Sequence, residues 1–138
     1  MQLNHDRIRT KLTDMAAAIS RLKKLQALSR QAFLADEDSQ DIARSRLLTA
    51  IEAALNICYH VAAKKLQRVP EDYAQCFIIL SEAKLISPAL ADRLAAMARF
   101  RNRLVQLYWD IDYGPVHDII CTNLGDLEDF AREVARSI

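Results

Sequence analysis

The chain has 138 residues, of which 51% are hydrophobic and 27% charged, with 19 basic against 18 acidic side chains. That length fits one domain. The even charge balance excludes a disordered polyelectrolyte and leaves no global basic field, so any nucleic-acid contact has to come from a local patch. Only two glycines, Gly114 and Gly125, occur, both near the C-terminus. The absence of glycine-bearing turns argues against all-β and Rossmann-type folds, and without a glycine-rich loop there is no P-loop or dinucleotide fingerprint.

The first apolar series, Ile8, Leu12, Met15, Ile19 and Leu22, alternates steps of four and three, which is a helical stripe. Leu25, Leu28 and Phe33 carry it beyond one long helix, and Asp36-Glu37-Asp38-Ser39 breaks it. Ser39 or Asp38 is the expected cap of the next helix, with the acids at its positive end. The second series runs Ile42, Leu48, Ile51, Leu55, Cys58, Ala62 and Leu66, with alanines between that let neighbouring helices approach closely. Lys64, Lys65 and Arg68 are expected in its last turn, and Val69-Pro70 stops it.

A short third helix fits Asp72 to Leu85, with Tyr73, Phe77, Leu80 and Ile78 as inward candidates. Ser87-Pro88 opens a fourth, with serine as cap and proline at the first helical position. Its stripe is Leu90, Leu94, Met97, Phe100, Leu104, Leu107 and Ile111, and Asp112-Tyr113-Gly114-Pro115 is expected to end it. A fifth segment, Val116 to about Ser137, carries Ile119, Ile120, Leu124, Leu127, Phe130 and Val134. Gly125 inside it costs about 1 kcal/mol relative to alanine and marks a place for a kink or break. The expectation is an all-α, up-and-down bundle of four to five antiparallel helices forming a single domain over residues 1–138.

No apolar run reaches the ~20 residues of a membrane span, and the polar N-terminus has no signal core, so a cytoplasmic protein without membrane contact is expected. Cys58, Cys76 and Cys121 form neither a disulfide framework nor a zinc pair; buried reduced thiols are the expected state. His5, His60 and His117 lack metal-ligand spacing, and no metal or cofactor is expected. His60 reads as a hydrogen-bonded interior histidine and His5 as solvated. His117 reads as a surface residue near a helix start, with a lesser alternative as a base folded toward Asp110 or Asp112. Glu52 and Asn56 form a polar i, i+4 pair on an otherwise apolar helix, facing water or a site across the bundle, with water slightly favoured.

One stretch stands apart. Arg93, Arg99, Arg101 and Arg103 fall within eleven residues, followed by Tyr108 and Trp109 and then Asp110 and Asp112. A guanidinium fork suits phosphate, and the aromatic rings suit base stacking; a solvated arginine face beside ordinary core aromatics is the plainer reading. The two acids oppose the dipole of a helix C-terminus, which points to a cationic partner such as Arg103 or an arginine of another subunit.

The run Arg101-Asn102-Arg103-Leu104-Val105-Gln106-Leu107-Tyr108 resembles the Arg-x4-His-x-Tyr signature of the HEPN superfamily, in its HepT-like branch of HEPN/MNT toxin–antitoxin pairs. The stretches AIEAALNICYHVAAKK, PEDYAQCFIIL, LADRLAAMARFRNRLV and DLEDFAREV agree in order, so the likeness spans nearly the whole chain. The resemblance implies a type VII-like toxin: a metal-independent endoribonuclease acting on tRNA or mRNA through the 2′-hydroxyl. It implies that Arg101 holds the scissile phosphate, that Asn102 orients the site, and that a nucleotidyltransferase antitoxin silences the toxin by adding AMP to Tyr108. Arg99, Arg103 and Trp109 are further candidates for RNA contact. Position 106, the family's histidine, is Gln106, which cannot carry a proton, so this copy is expected to be impaired. The alternative is a non-catalytic HEPN module that dimerises and binds antitoxin or nucleotide.

Positions 101 and 106 are five apart, about 140° around an ideal helix, and do not share a face. Either a homodimer built beside this helix joins them across a two-fold axis or the helix unwinds locally.

Overall fold

The computed structural model describes residues 3–106 and 109–138, and among these every regular element is a helix. The helices are α1 (His5–Leu25), α2 (Arg30–Leu34), α3 (Glu37–Lys64), α4 (Tyr73–Glu82), α5 (Pro88–Gln106), α6 (Tyr113–Thr122) and α7 (Leu124–Ser137). The all-α class holds, but the chain is cut more finely than its apolar periodicity implies.

The Asn4 side chain opens α1 by accepting the Arg7 backbone N–H at 3.0 Å. Ile8, Met15, Ile19, Leu22 and Leu25 are buried as the stripe demands, and α1 then ends. Phe33 reaches the core from the separate short helix α2, capped by Ser29, whose hydroxyl accepts the Ala32 N–H. The cap of α3 is Asp36 rather than Asp38 or Ser39. Its carboxylate accepts the Asp38 N–H, and Ser39 donates its hydroxyl to it at 2.6 Å. That hydroxyl, first among the causes, holds Asp36 below the usual carboxylate range.

The central helix, α3, has a middle that is buried on most sides, so its alanines are core rather than spacers: Ala43, Ala50, Ala54 and Ala62 are all sealed. Ala43 takes the inward position expected of Ile42, which is 44% exposed. Asn4 meets His60 and Arg7 meets Asn56, so α1 runs antiparallel to α3; Arg44 meets Leu104 and Arg101 meets Glu52, so α5 does too. On α4 the buried side chains are Cys76, Phe77, Ile79 and Leu80, and Phe77 packs edge-on against Phe130 of α7 with centroids 5.5 Å apart.

The basic trio expected in the last turn of α3 is split: Lys64 is its last residue, Lys65 its cap, and Arg68 lies beyond, paired with Glu82 at 3.0 Å. Gln67 past the end of α3 and Lys84 past the end of α4 adopt left-handed backbone conformations without being glycine. At Lys84 this makes a Schellman turn: the Leu85 N–H reaches Leu80 O, and the Lys84 N–H reaches Ser81 O.

The Ser87 hydroxyl accepts the Leu90 N–H, as expected for the cap of α5. Asp112 does not help to end α5. It caps α6 by accepting the Gly114 N–H, and at an N-terminus its charge favours the helix dipole, which removes the mismatch seen in the sequence. The C-terminal segment breaks at Asn123 rather than at Gly125. Cys58 and Cys76 are buried, and burial pushes the Cys58 thiol up; Cys121 is exposed, contrary to expectation. No described helix is long and apolar enough to cross a membrane.

Candidate functional site

The α5 helix carries its four arginines to different places. Arg93 ties Nε to Asp126 of α7 at 2.9 Å. Arg99 and Arg103 are exposed. Arg101 turns inward toward α3 and α4, and its side chain is only 18% exposed. Its Nη1 donates to Asn102 Oδ1 at 3.3 Å, and its Nη2 lies 3.5 Å from Glu52 Oε1. The guanidinium carbon sits 4.9 Å from the centre of the Tyr73 ring, within cation–π reach. Arg101 Nε is buried with no hydrogen-bond partner among the described residues.

Both polar contacts are longer than the roughly 2.7–2.9 Å of a tight charged hydrogen bond. The guanidinium is therefore oriented by a carboxylate, an amide and a ring face while its donors remain incompletely used. A buried donor left open is the kind of group that an oxyanion completes.

Around Arg101 lies a cleft of about 160 Å³ lined by Glu52, Leu55, Asn56, Tyr59 and Tyr73. Glu52 and Asn56 thus face the site across the bundle, not bulk water as favoured from sequence. The core periodicity of α3 turns their shared edge toward α5. Asn56 Nδ2 donates to the Glu52 carbonyl, and Asn56 Oδ1 accepts from Arg7 at 3.5 Å. Tyr59 and Tyr73 meet edge-on, centroids 5.8 Å apart. Burial, followed by neighbouring Cys76 and Tyr73, pushes the Tyr59 phenol up to about 12, so it keeps its proton at neutral pH.

Gln106 is exposed and stands away from this cleft, as five-residue spacing on a regular helix requires. Asn102 is half-buried beside Arg101. Tyr108 lies outside the described residues, as does Leu107, and Trp109 is 70% exposed. Arg103 and Asp110 border one pocket with Asp112 but form no ion pair among the described residues. Arg44 on α3 donates to the Leu104 carbonyl at 3.3 Å, a cation at the C-terminal end of α5 where the dipole favours it.

Two of the three histidines, His60 and His117, are structural in their placement. His60 accepts the Asn4 N–H at 2.9 Å on Nε2, and burial, then Arg7 and Lys64, lower its pKa. His117 is neither a surface residue nor folded toward Asp110 or Asp112; it is buried against the Phe33 ring with Nε2 3.3 Å from Leu28 O. His5 is exposed. Sequence spacing offered no signal for Tyr59 and Tyr73 as site residues, because they join Arg101 only through the packing of α3 and α4 on α5.

The sequence pattern of the family Ribonuclease HepT-like matches residues 15–134. The chain is 28% identical over 127 residues to the tRNA nuclease HepT of Aphanizomenon flos-aquae (strain 2012/KM1/D3), covering 92% of this chain and 86% of that one. It is 26% identical over 126 residues to the mRNA nuclease HepT of Shewanella oneidensis, covering 91% and 94%. Among solved structures, the tri-AMPylated Shewanella oneidensis HEPN toxin in complex with MNT antitoxin has a TM-score of 0.86 at 24% identity over 95% of this chain and 98% of that one. At that identity the likeness carries the fold.

Proposed function

Because this chain belongs to the Ribonuclease HepT-like family, we propose that it is the toxin of a HEPN/MNT toxin–antitoxin pair, a metal-independent endoribonuclease silenced by AMP addition to Tyr108. The observation that carries the reading is the held but incompletely used guanidinium of Arg101 at the family's motif position. In the cleavage step the RNA 2′-oxygen attacks the adjacent phosphorus, the 5′-oxygen leaves, and negative charge grows on the non-bridging oxygens. Arg101 offsets that charge with paired donors, and Asn102 holds the guanidinium in place.

The step also needs a proton taken from the 2′-hydroxyl and one given to the leaving oxygen. Gln106 can do neither, which costs about 10²–10⁴ in rate where a histidine would act. This copy is accordingly slow or inactive. Arg101 and Gln106 occupy different faces of α5, so a homodimer that apposes two α5 helices is the arrangement that brings one copy's residue 106 to the other's Arg101. Arg99, Arg103 and Trp109, all exposed near the end of α5, are suited to flanking phosphates and a stacked base. The gap at position 106 also favours the second reading, a non-catalytic module that dimerises and binds antitoxin or nucleotide without cutting.

AMP addition is a transfer in which the Tyr108 phenol oxygen attacks the α-phosphorus of ATP, loses its proton, and releases pyrophosphate. Co-expression with an MNT antitoxin, followed by intact-mass measurement, is expected to show one or more AMP units, lost in Tyr108→Phe. Modification that persists in that variant overturns the assignment.

A further inference from the structure

We propose that the cleft formed by Glu52, Asn56, Tyr59 and Tyr73 beside Arg101 is a nucleobase subsite that prefers an amino-bearing base, guanine above all, over uracil. The inference rests on the reading of Arg101 as the phosphate-binding group and goes beyond it, because nothing in phosphate binding requires a base preference.

Size restricts the occupant first. At about 160 Å³ the cleft is smaller than the roughly 300–1,000 Å³ of sites that enclose drug-sized ligands, and suits a single ring system rather than a whole nucleotide. Continuity comes next. Arg101 is both a wall of the cleft and the group assigned to the phosphate, so the base of a bound nucleotide has this opening beside it. The walls are aromatic, with Tyr59 and Tyr73 edge-on and the Arg101 guanidinium carbon 4.9 Å from the centre of the Tyr73 ring, and both ring faces and guanidinium planes stack unpaired bases.

The polar edge sets the preference. Asn56 uses one of its two amide N–H donors on the Glu52 carbonyl, and its Oδ1 is an acceptor shared with Arg7 at 3.5 Å. Glu52 makes one charged contact among the described residues, at 3.5 Å, and its side chain is 46% exposed. The Glu52 carboxylate is therefore the acceptor-only group at the opening, with Asn56 Oδ1 on the same wall. Cytosine and adenine each offer one exocyclic amine to such a carboxylate. Guanine offers a ring N–H and an amine side by side, the pattern that matches both carboxylate oxygens. Uracil has no amine.

The chain as it stands suits the test, since Gln106 lets RNA be bound without rapid loss. Fluorescence anisotropy would compare a short oligouridylate with the same oligomer carrying one guanosine, adenosine or cytidine. The guanosine oligomer is expected to bind roughly tenfold more tightly than oligouridylate, within the range of a bidentate base contact, with adenosine and cytidine between. Glu52→Gln is expected to bring that ratio close to one, and Asn56→Ala to reduce it. Equal binding of the guanosine and uridine oligomers, or a preference that survives both substitutions, overturns the proposal. If all oligomers bind equally and binding still falls in Arg101→Met, only the base subsite is wrong. If Arg101→Met leaves binding of every oligomer unchanged, the phosphate reading fails and takes the subsite with it.

Discussion

Arg93 and Arg101 sit on the same helix, yet their side chains are in opposite chemical states. Arg93 donates from Nε at 2.9 Å to Asp126, a buried carboxylate whose second oxygen accepts from Asn123 at 3.0 Å. That guanidinium is committed to joining α5 to α7. Arg101 is less exposed than Arg93, but its contacts are 3.3 and 3.5 Å long and its Nε has no partner among the described residues. A buried Nε without a partner is not the distinguishing mark, since Arg44 Nε shares it; what separates Arg101 from Arg93 is its long contacts and its place in the wall of the cleft.

The contrast predicts opposite outcomes for the same substitution. Arg93→Met strips a buried carboxylate of its cation and is expected to cost about 1–3 kcal/mol, measured by denaturant unfolding, with RNA affinity of the folded protein unchanged. Arg101→Met is expected to cost less stability than Arg93→Met, because its polar contacts are longer and its partner Glu52 keeps access to water. It should weaken RNA binding and make the slope of log affinity against log salt shallower by about 0.7, as for one phosphate contact on a single strand. If Arg101→Met is the destabilising change and Arg93→Met the one that loses RNA, the distinction is reversed.

A smaller effect extends the contrast to imidazole. His60 is committed, accepting the Asn4 N–H in its neutral form, and its folded pKa lies below the unfolded value near 6.5. Below that unfolded value the unfolded chain takes up a proton that the folded chain refuses, so stability present above pH 6.5 is lost as pH falls toward and through the lowered pKa. Unfolding midpoints from pH 7 to pH 5 are expected to fall less steeply in His60→Gln. Parallel curves for the two proteins refute the account.

Much of this architecture was legible in the residues. The 3.6-residue spacing located the long helices, and Ser87-Pro88 located the start of α5, because these signals are local. Breaks were less legible where the usual residues were not used: Gln67 and Lys84 take the left-handed conformation normally given to glycine, and α6 ends at Asn123, two residues before the glycine that invited a break. Asp112 is ambiguous in sequence for a related reason, since the same acid opposes one helix end and favours the next helix start.

The site divides in the same way. Arg101, Asn102 and Gln106 stand out on one helix, as a motif does. Tyr59 and Tyr73 come from α3 and α4, so only tertiary packing reveals them as neighbours of Arg101; Glu52 and Asn56 stand out as a polar pair on an apolar helix, and packing alone decides which way they face.

The central claim is that Arg101 holds a scissile phosphate at a site whose missing part is a proton carrier at position 106. Its most direct test is metal-free RNA cleavage by the purified chain and by Gln106→His, alone and combined with Arg101→Met. The expected result is at least about a hundredfold gain in Gln106→His, abolished when Arg101→Met is added. Equal rates for the parent chain and Gln106→His, or a gain that survives the loss of Arg101, would contradict it.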